Sequence, residues 1–167
     1  MTNIVERARI FATAAHAAVG QLRKYTFEPY IVHPQEVAQI VAEAGGTDEM
    51  VAAAWLHDTV EDTGVTIELV RAEFGAEVAE LVGWLTDVSR PDMGNRATRK
   101  AIDRAHTASA PAAAQTIKLA DLICNTKSIV EHDPEFARVY LAEKRALLEV
   151  LTKGDAGLRA RAQAQIG

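Results

Sequence analysis

The chain has 167 residues, 49% of them hydrophobic, 25% charged and 5% aromatic, with 31 alanines against 10 glycines and 5 prolines. That composition describes one soluble, helix-favouring domain, able to bury roughly 70% of the surface its unfolded chain exposes. With 18 Lys+Arg against 23 Asp+Glu the net charge is -5, so no overall basic field exists to gather nucleic acid or anionic lipid. An anionic ligand must then be held by local cations or by a metal. The single cysteine, Cys124, cannot form an intramolecular disulfide, the opening MTNIVERAR is polar, and no apolar run approaches the roughly 18 residues of a membrane span. The expectation is a cytoplasmic protein without nucleic-acid or membrane partners.

From Ile4 to Leu22 the residues Ile4, Ala8, Phe11, Ala15, Val19 and Leu22 recur at three- and four-residue steps, predicting a one-faced helix. The loop RKYTFEPYIV follows. Pro34 suits a first helical position, and Val37, Ile40, Val41 and Ala44 share a face before Gly45-Gly46 stops the helix. Thr47 or Asp48 caps a helix running through MVAAAWLHDTVED to Gly64, and Thr66 caps a short one ending at Gly75. AEVAELVGWLTDV predicts another helix. SRPDMGN is the most loop-like stretch, either a lid or a connector. A polar helix over Arg96 to Ser109, a break at Pro111 and a long helix from Ala112 to Glu131 come next. Asp133-Pro134 opens the helix FARVYLAEKRALLEVL, and a short helix follows Gly154. With no period-two segment rich in β-branched residues, the fold class is all-α, in a single domain of about eight to nine helices.

The densest reactive cluster is LHDTVEDT, residues 56 to 63. On a continuous helix, Glu61 falls four after His57 and Asp62 four after Asp58, which places all four on one broad face. Carboxylates crowded beside an imidazole repel one another unless a cation lies among them, and a divalent metal resolves the conflict. Read alone, the pair also fits a solvated helix end, although acids there oppose the helix dipole. His33, held at a helix entrance by Pro34, and Asp121, a carboxylate inside apolar IKLADLIC that needs a partner, extend the set. His33, His57, Asp58 and Asp121 form a nitrogen and oxygen donor group suited to manganese, iron, zinc or another divalent transition ion. Trp55, Trp84, Phe74 and Phe11 are assigned to packing, Cys124 to the core, and His16, His106 and His132 show no partner pattern.

YIVHP at 30 to 34, AAWLHDTVEDT at 53 to 63 and IKLADLICN at 117 to 125, in that order, resemble the HD-domain hydrolases of guanosine tetraphosphate and pentaphosphate. RKYTFEPYIVHP is similar to that family's substrate loop, and FGAEVAELVGWLTDV to the segment that follows its HD motif. The resemblance covers about residues 5 to 153. It implies an all-helical HD fold with one divalent metal, usually Mn2+, bound by His33, His57, Asp58 and Asp121. It also implies that Glu61 and Asp62 orient and deprotonate the attacking water, and that Arg23 packs on the purine while Lys24 meets phosphate. Asn125 is implied to contact the substrate near its ribose, and Tyr140 either to lie near the nucleotide or to belong to the core.

This chain departs from the family at Lys127, where arginine is usual, and in VSRPDMGN, which lacks the lysine often found after Thr86-Asp87. Both departures touch phosphate-side contacts. Lys118, three before Asp121, reaches either phosphate or solvent. The activity implied is removal of the 3′-pyrophosphate of guanosine tetraphosphate or pentaphosphate. The alternatives are an HD phosphohydrolase for another nucleotide phosphate and a non-catalytic alarmone-binding module. The expected partner is a guanine nucleotide, and a homo-oligomer is compatible with the sequence. The length leaves no room for the synthetase that often accompanies this hydrolase, so degradation alone is expected.

Overall fold

A computed structural model describes residues 2–167 and forms ten helices among them. These are α1 (Ile4–Ala18), α2 (Val32–Glu43), α3 (Asp48–Leu56), α4 (Thr59–Asp62), α5 (Ile67–Phe74), α6 (Ala76–Leu85), α7 (Arg96–Ala108), α8 (Ala112–His132), α9 (Pro134–Val150) and α10 (Ala156–Ala164). Without the single-turn α4, nine remain among the described residues, and the all-α expectation is met. The one β feature described is an isolated antiparallel bridge between Leu22 and Pro29. No described helix is long and apolar enough to cross a membrane. The chain divides into two compact units, one through Thr86 and one from Asp87 onward.

In the first unit α3 is the centre. Thr47 caps it by accepting from the Met50 N–H, and the run Val51 to Leu56 is buried all round, with Ala52, Ala53, Ala54 and Leu56 at 0% exposure. A helix with no polar stripe must lie inside other elements, and α3 packs against α1, α2 and α6. The small alanine side chains let those helices approach closely. Val37, Val41, Val78 and Val82 complete the core, each contributing about 1.5–3 kcal/mol by leaving water. Phe11 and Phe74 meet edge to face at 5.4 Å, in the packing role expected of them.

Four boundaries differ from the sequence reading. α2 begins at Val32, so Pro34 is third in the helix rather than first. α1 stops at Ala18, where Gly20 turns the chain with φ 65°, so Val19 and Leu22 are exposed rather than on a buried face. α6 stops at Leu85, because Thr86 is extended and its hydroxyl donates to the Val82 carbonyl. The helix expected to run unbroken through LHDTVED is interrupted at His57 and Asp58. The His57 ring bonds the Ala54 carbonyl at 2.6 Å and the Thr59 hydroxyl bonds the Leu56 carbonyl at 2.7 Å. Side-chain donors thus take carbonyls that the helix ladder would use, and the backbone turns.

In the second unit α8 packs against α9 and α10, and α7 against α9. Gln115, fully buried on α8, donates to the Thr107 and Val150 carbonyls and accepts from the Lys153 N–H at 2.8 Å. One amide therefore ties the end of α7, the end of α9 and the approach to α10. Gly154 passes so close that an added Cβ would lie 2.6 Å from Leu119 Cδ1.

Candidate metal centre and a pocket of the second unit

The interruption between α3 and α4 delivers His57 and Asp58 from the end of the buried central helix, and α2 delivers His33 from its first turn. One ligand atom from each of His33, His57 and Asp58 lies within 4.8 Å of the others. His33 and His57 are 1% and 2% exposed. Asp58 Oδ2 stands 3.0 Å from His57 Nε2 and 3.6 Å from His33 Nε2.

A carbonyl can only accept, so His57 Nδ1, bonded to the Ala54 carbonyl, carries the hydrogen. In the neutral ring Nε2 then presents its lone pair toward a carboxylate oxygen. Two acceptors at that separation require a proton or a cation between them. This donor set fits a divalent metal, with the second nitrogen of His57 held by a backbone carbonyl as in known metal-binding histidines. Tyr30 adds an orienting contact, its hydroxyl donating to Asp58 Oδ2 at 2.6 Å. The rings of His16, Tyr30, His33 and His57 follow one another at 4.9, 5.7 and 5.3 Å.

Glu61 and Asp62 lie on α4, both exposed. Gln21 donates to Asp62 Oδ2 at 3.1 Å and pairs through its carbonyl oxygen with His16 Nδ1 at 2.8 Å. Crowding by protein atoms pushes the Asp62 pKa above its ordinary value, the Gln21 bond lowers it, and the Asp58 charge raises it. His16 is buried, its Nε2 without a hydrogen-bond partner among the described residues. Sequence reasoning gave His16 no partner pattern. Its link to Asp62 runs through a side chain 41 positions away from that acid, which no helical spacing reveals.

Arg23 and Lys24 sit in the loop between α1 and α2. Arg23 N–H donates to the Glu28 carbonyl, and the Lys24 ammonium lies 5.2 Å from the Tyr25 ring centre. In the second unit Asp121, 6% exposed, accepts from Lys118 Nζ at 3.1 Å and from Asn125 Nδ2 at 2.9 Å. Asp121 and Asn125, four residues apart, thus share one face of α8. Both residues line a cavity together with Tyr140. The Tyr140 hydroxyl is in contact with Thr126 Oγ1 and the Leu122 carbonyl, and burial pushes its pKa up to about 12. Lys127 is exposed on α8 and outside that lining.

Two residues that the sequence did not single out shape this unit. Asp103, on α7, accepts from the N–H groups of Val88 and Ser89 and from the Ser89 hydroxyl, which fixes the start of SRPDMGN. Lys144, on α9, is 1% exposed and donates to Thr126 Oγ1 at 2.7 Å and Gln165 Oε1 at 2.6 Å.

The model of the HD domain matches residues 8–150. The chain belongs to the HD domain family. Among relatives of this HD domain, a probable guanosine-3′,5′-bis(diphosphate) 3′-pyrophosphohydrolase of Synechocystis is 34% identical over 151 residues, covering 89% of this chain and 20% of its own length. The guanosine-3′,5′-bis(diphosphate) 3′-pyrophosphohydrolase MESH1 of Xenopus tropicalis is 40% identical over 110 residues, which is 64% of this chain and 59% of that one. A solved metazoan ortholog of SpoT, described as hydrolysing ppGpp, superposes with a TM-score of 0.87 at 27% identity, covering 99% of this chain and 94% of that chain. The chain spans about a fifth or less of the length of several longer curated relatives it matches.

Proposed function

We propose that this HD domain is a metal-dependent hydrolase that removes the 3′-pyrophosphate of guanosine tetraphosphate or pentaphosphate, yielding GDP or GTP and pyrophosphate. The observation that carries the chemistry is the buried grouping of His33, His57 and Asp58, whose ligand atoms lie within 4.8 Å of one another. The choice of substrate is supported by the similarity to the hydrolases of Synechocystis and Xenopus tropicalis.

In this reading His33, His57 and Asp58 hold the ion, with Asp121 as a fourth ligand on the strength of its motif IKLADLICN. Manganese is the ion proposed, in keeping with mixed nitrogen and oxygen donors. A bound divalent ion supplies Lewis acidity at the phosphoryl oxygen and lowers the pKa of water from 15.7 toward about 7. Tyr30 keeps the Asp58 carboxylate in its orientation. Glu61 and Asp62 orient the attacking water and take its proton, a contribution of about 10²- to 10⁴-fold for a positioned base. The water oxygen joins phosphorus, the bond to the ribose 3′ oxygen breaks, and that oxygen takes up the proton held by the acid pair, so that pyrophosphate and a free 3′ hydroxyl result. Arg23 stacks on the purine, Lys24 and Lys127 meet phosphate, and Asn125 and Tyr140 contact the ribose side.

The test is release of pyrophosphate from guanosine tetraphosphate by the manganese-loaded chain, against His57→Ala and Asp58→Ala controls. Release by the parent alone is expected. Absence of release above those controls with manganese, iron, zinc, cobalt and magnesium alike overturns the reading. Preference for nucleotides without a 3′-pyrophosphate would transfer it to another nucleotide phosphate.

A further inference from the structure

The end of α1 brings His16 and Gln21 together. Val19 caps the helix, Gly20 turns the chain at φ 65°, and two backbone bonds close the turn, from Gly20 N–H to the Ala17 carbonyl at 3.0 Å and from Gln21 N–H to the His16 carbonyl at 3.2 Å. In such a glycine ending the side chains on either side of the turn meet, and frequently they are apolar. Here they are polar, with His16 Nδ1 and Gln21 Oε1 2.8 Å apart. The Gln21 backbone is held a second time by Tyr30, whose N–H donates to its carbonyl at 3.1 Å. On its far side the Gln21 amide donates to Asp62 Oδ2 at 3.1 Å. An ionised carboxylate can only accept, so the amide NH2 faces Asp62, its oxygen faces His16, and Nδ1 of His16 carries the hydrogen. With the amide reversed, two oxygens would confront each other.

His16 is 1% exposed, its ring lies 4.9 Å from that of Tyr30, and no described residue bonds its Nε2. The single hydrogen of the neutral ring therefore has a partner on Nδ1 alone. Asp62 is exposed and is the last residue of the one-turn α4, so the orientation of its carboxylate falls to hydrogen bonding. We propose that His16 is a positioning residue for the reaction: through Gln21 it holds the Asp62 carboxylate by Oδ2 and leaves Oδ1 to take the proton of the attacking water. The inference rests on the hydrolase reading, in which Asp62 is one of the two acids at that water. A neutral amide suits the task. A lysine in place of Gln21 would also orient the acid, but its charge would weaken the base, whereas crowding by protein atoms keeps the Asp62 pKa above its ordinary value despite the Gln21 bond. His16 stands two hydrogen bonds from the carboxylate and acts by placing it.

The tautomer is read without turnover, by proton–nitrogen correlation NMR of the His16 ring in the chain before metal is added, at about pH 8 so that a histidine is neutral. Nδ1 should carry the hydrogen and Nε2 none, and in His16→Phe the Gln21 side-chain amide signals should move to those of a free glutamine. With manganese, His16→Phe, which keeps a ring beside Tyr30 and removes both nitrogens, should lower kcat on guanosine tetraphosphate about tenfold with KM unchanged, the loss expected for one hydrogen bond in a charged chain. His16→Asn, whose amide nitrogen falls near the place of Nδ1, should recover most of that loss although it fills the site less well. The double variant His16→Phe/Gln21→Leu should be no slower than Gln21→Leu alone. A role in packing alone would rank phenylalanine above asparagine and make the two losses add. A bare Nδ1 with hydrogen on Nε2, asparagine no faster than phenylalanine, or additive losses overturns the proposal. No pyrophosphate release by the parent, with the ring and amide signals as expected, removes the hydrolase reading and the role of Asp62 as its base, while the hydrogen-bonded chain stands; release accompanied by any of the overturning results removes the positioning role alone.

Discussion

Lys144 provides a stability test that needs no substrate. Burial lowers its pKa from the ordinary 10.5 to about 8, and at about 1.4 kcal/mol per pH unit the protonated side chain costs the folded state about 3 kcal/mol. Because the unfolded chain holds this proton more tightly, it carries more protons than the folded one between pH 8 and 10.5, so stability rises with pH across that window. Below pH 8 the cost is present in full. Replacing Lys144 with methionine removes the titration, together with the bonds to Thr126 and Gln165. All other groups titrate alike in both proteins, so the difference in unfolding free energy between parent and Lys144→Met isolates this one proton. That difference should shift in favour of the parent by about 2 kcal/mol between pH 7 and pH 10. Urea unfolding at pH 7, 8.5 and 10, with equal slopes in both proteins, measures it. A difference that stays constant across the range would refute the reasoning and assign the ammonium to a solvated position.

Three further outcomes are expected. Tyr30→Phe deletes the 2.6 Å bond to Asp58 and should weaken manganese binding about 10- to 100-fold, as loss of a ligand's supporting contact does; a direct metal titration decides, and unchanged affinity refutes the orienting role. Gln21→Leu removes the bond that lowers the Asp62 pKa and leaves the influences that raise it, so the acidic limb of the kcat/KM profile should move to higher pH, because the base works deprotonated. A limb that stays fixed or moves lower would exclude Asp62 as the base. Asp103→Ala strands the N–H groups of Val88 and Ser89 and should cost about 1–3 kcal/mol in chemical denaturation.

Helical periodicity and capping chemistry account for how much of this fold is legible in the sequence. Thr47, Thr66 and Asp133 cap α3, α5 and α9 with their side chains as expected. The break at His57 is not legible, since MVAAAWLHDTVED suits a continuous helix and the interruption arises from side chains capturing carbonyls. It also changes the reason His57 and Asp58 come together, from a shared helical face to a turn at a helix end. The grouping of His33 with them was readable because two imidazoles and a carboxylate make one nitrogen and oxygen donor set, carried by motifs that resemble a known family. Lys144 was not, because within FARVYLAEKRALLEVL a lysine looks like part of a solvated face until α8 and the Gln165 side chain beyond α10 cover it. Asp103 escaped for a similar reason: its partners are backbone groups, which leave no trace in residue identity.

The two contacts that prepare His57 and Asp58 differ in how they are inherited. Asp58 depends on the Tyr30 hydroxyl, so a single codon change that deletes one oxygen atom undoes it. His57 depends on the carbonyl of Ala54, and every amino acid carries that atom. Whatever side chain drifts into position 54, the proton stays on Nδ1 and the other nitrogen stays open, provided α3 keeps its course. The tautomer is thus written into the path of a helix, out of reach of most point mutations, and the buried all-apolar surroundings of α3 protect half of the metal chemistry without touching it.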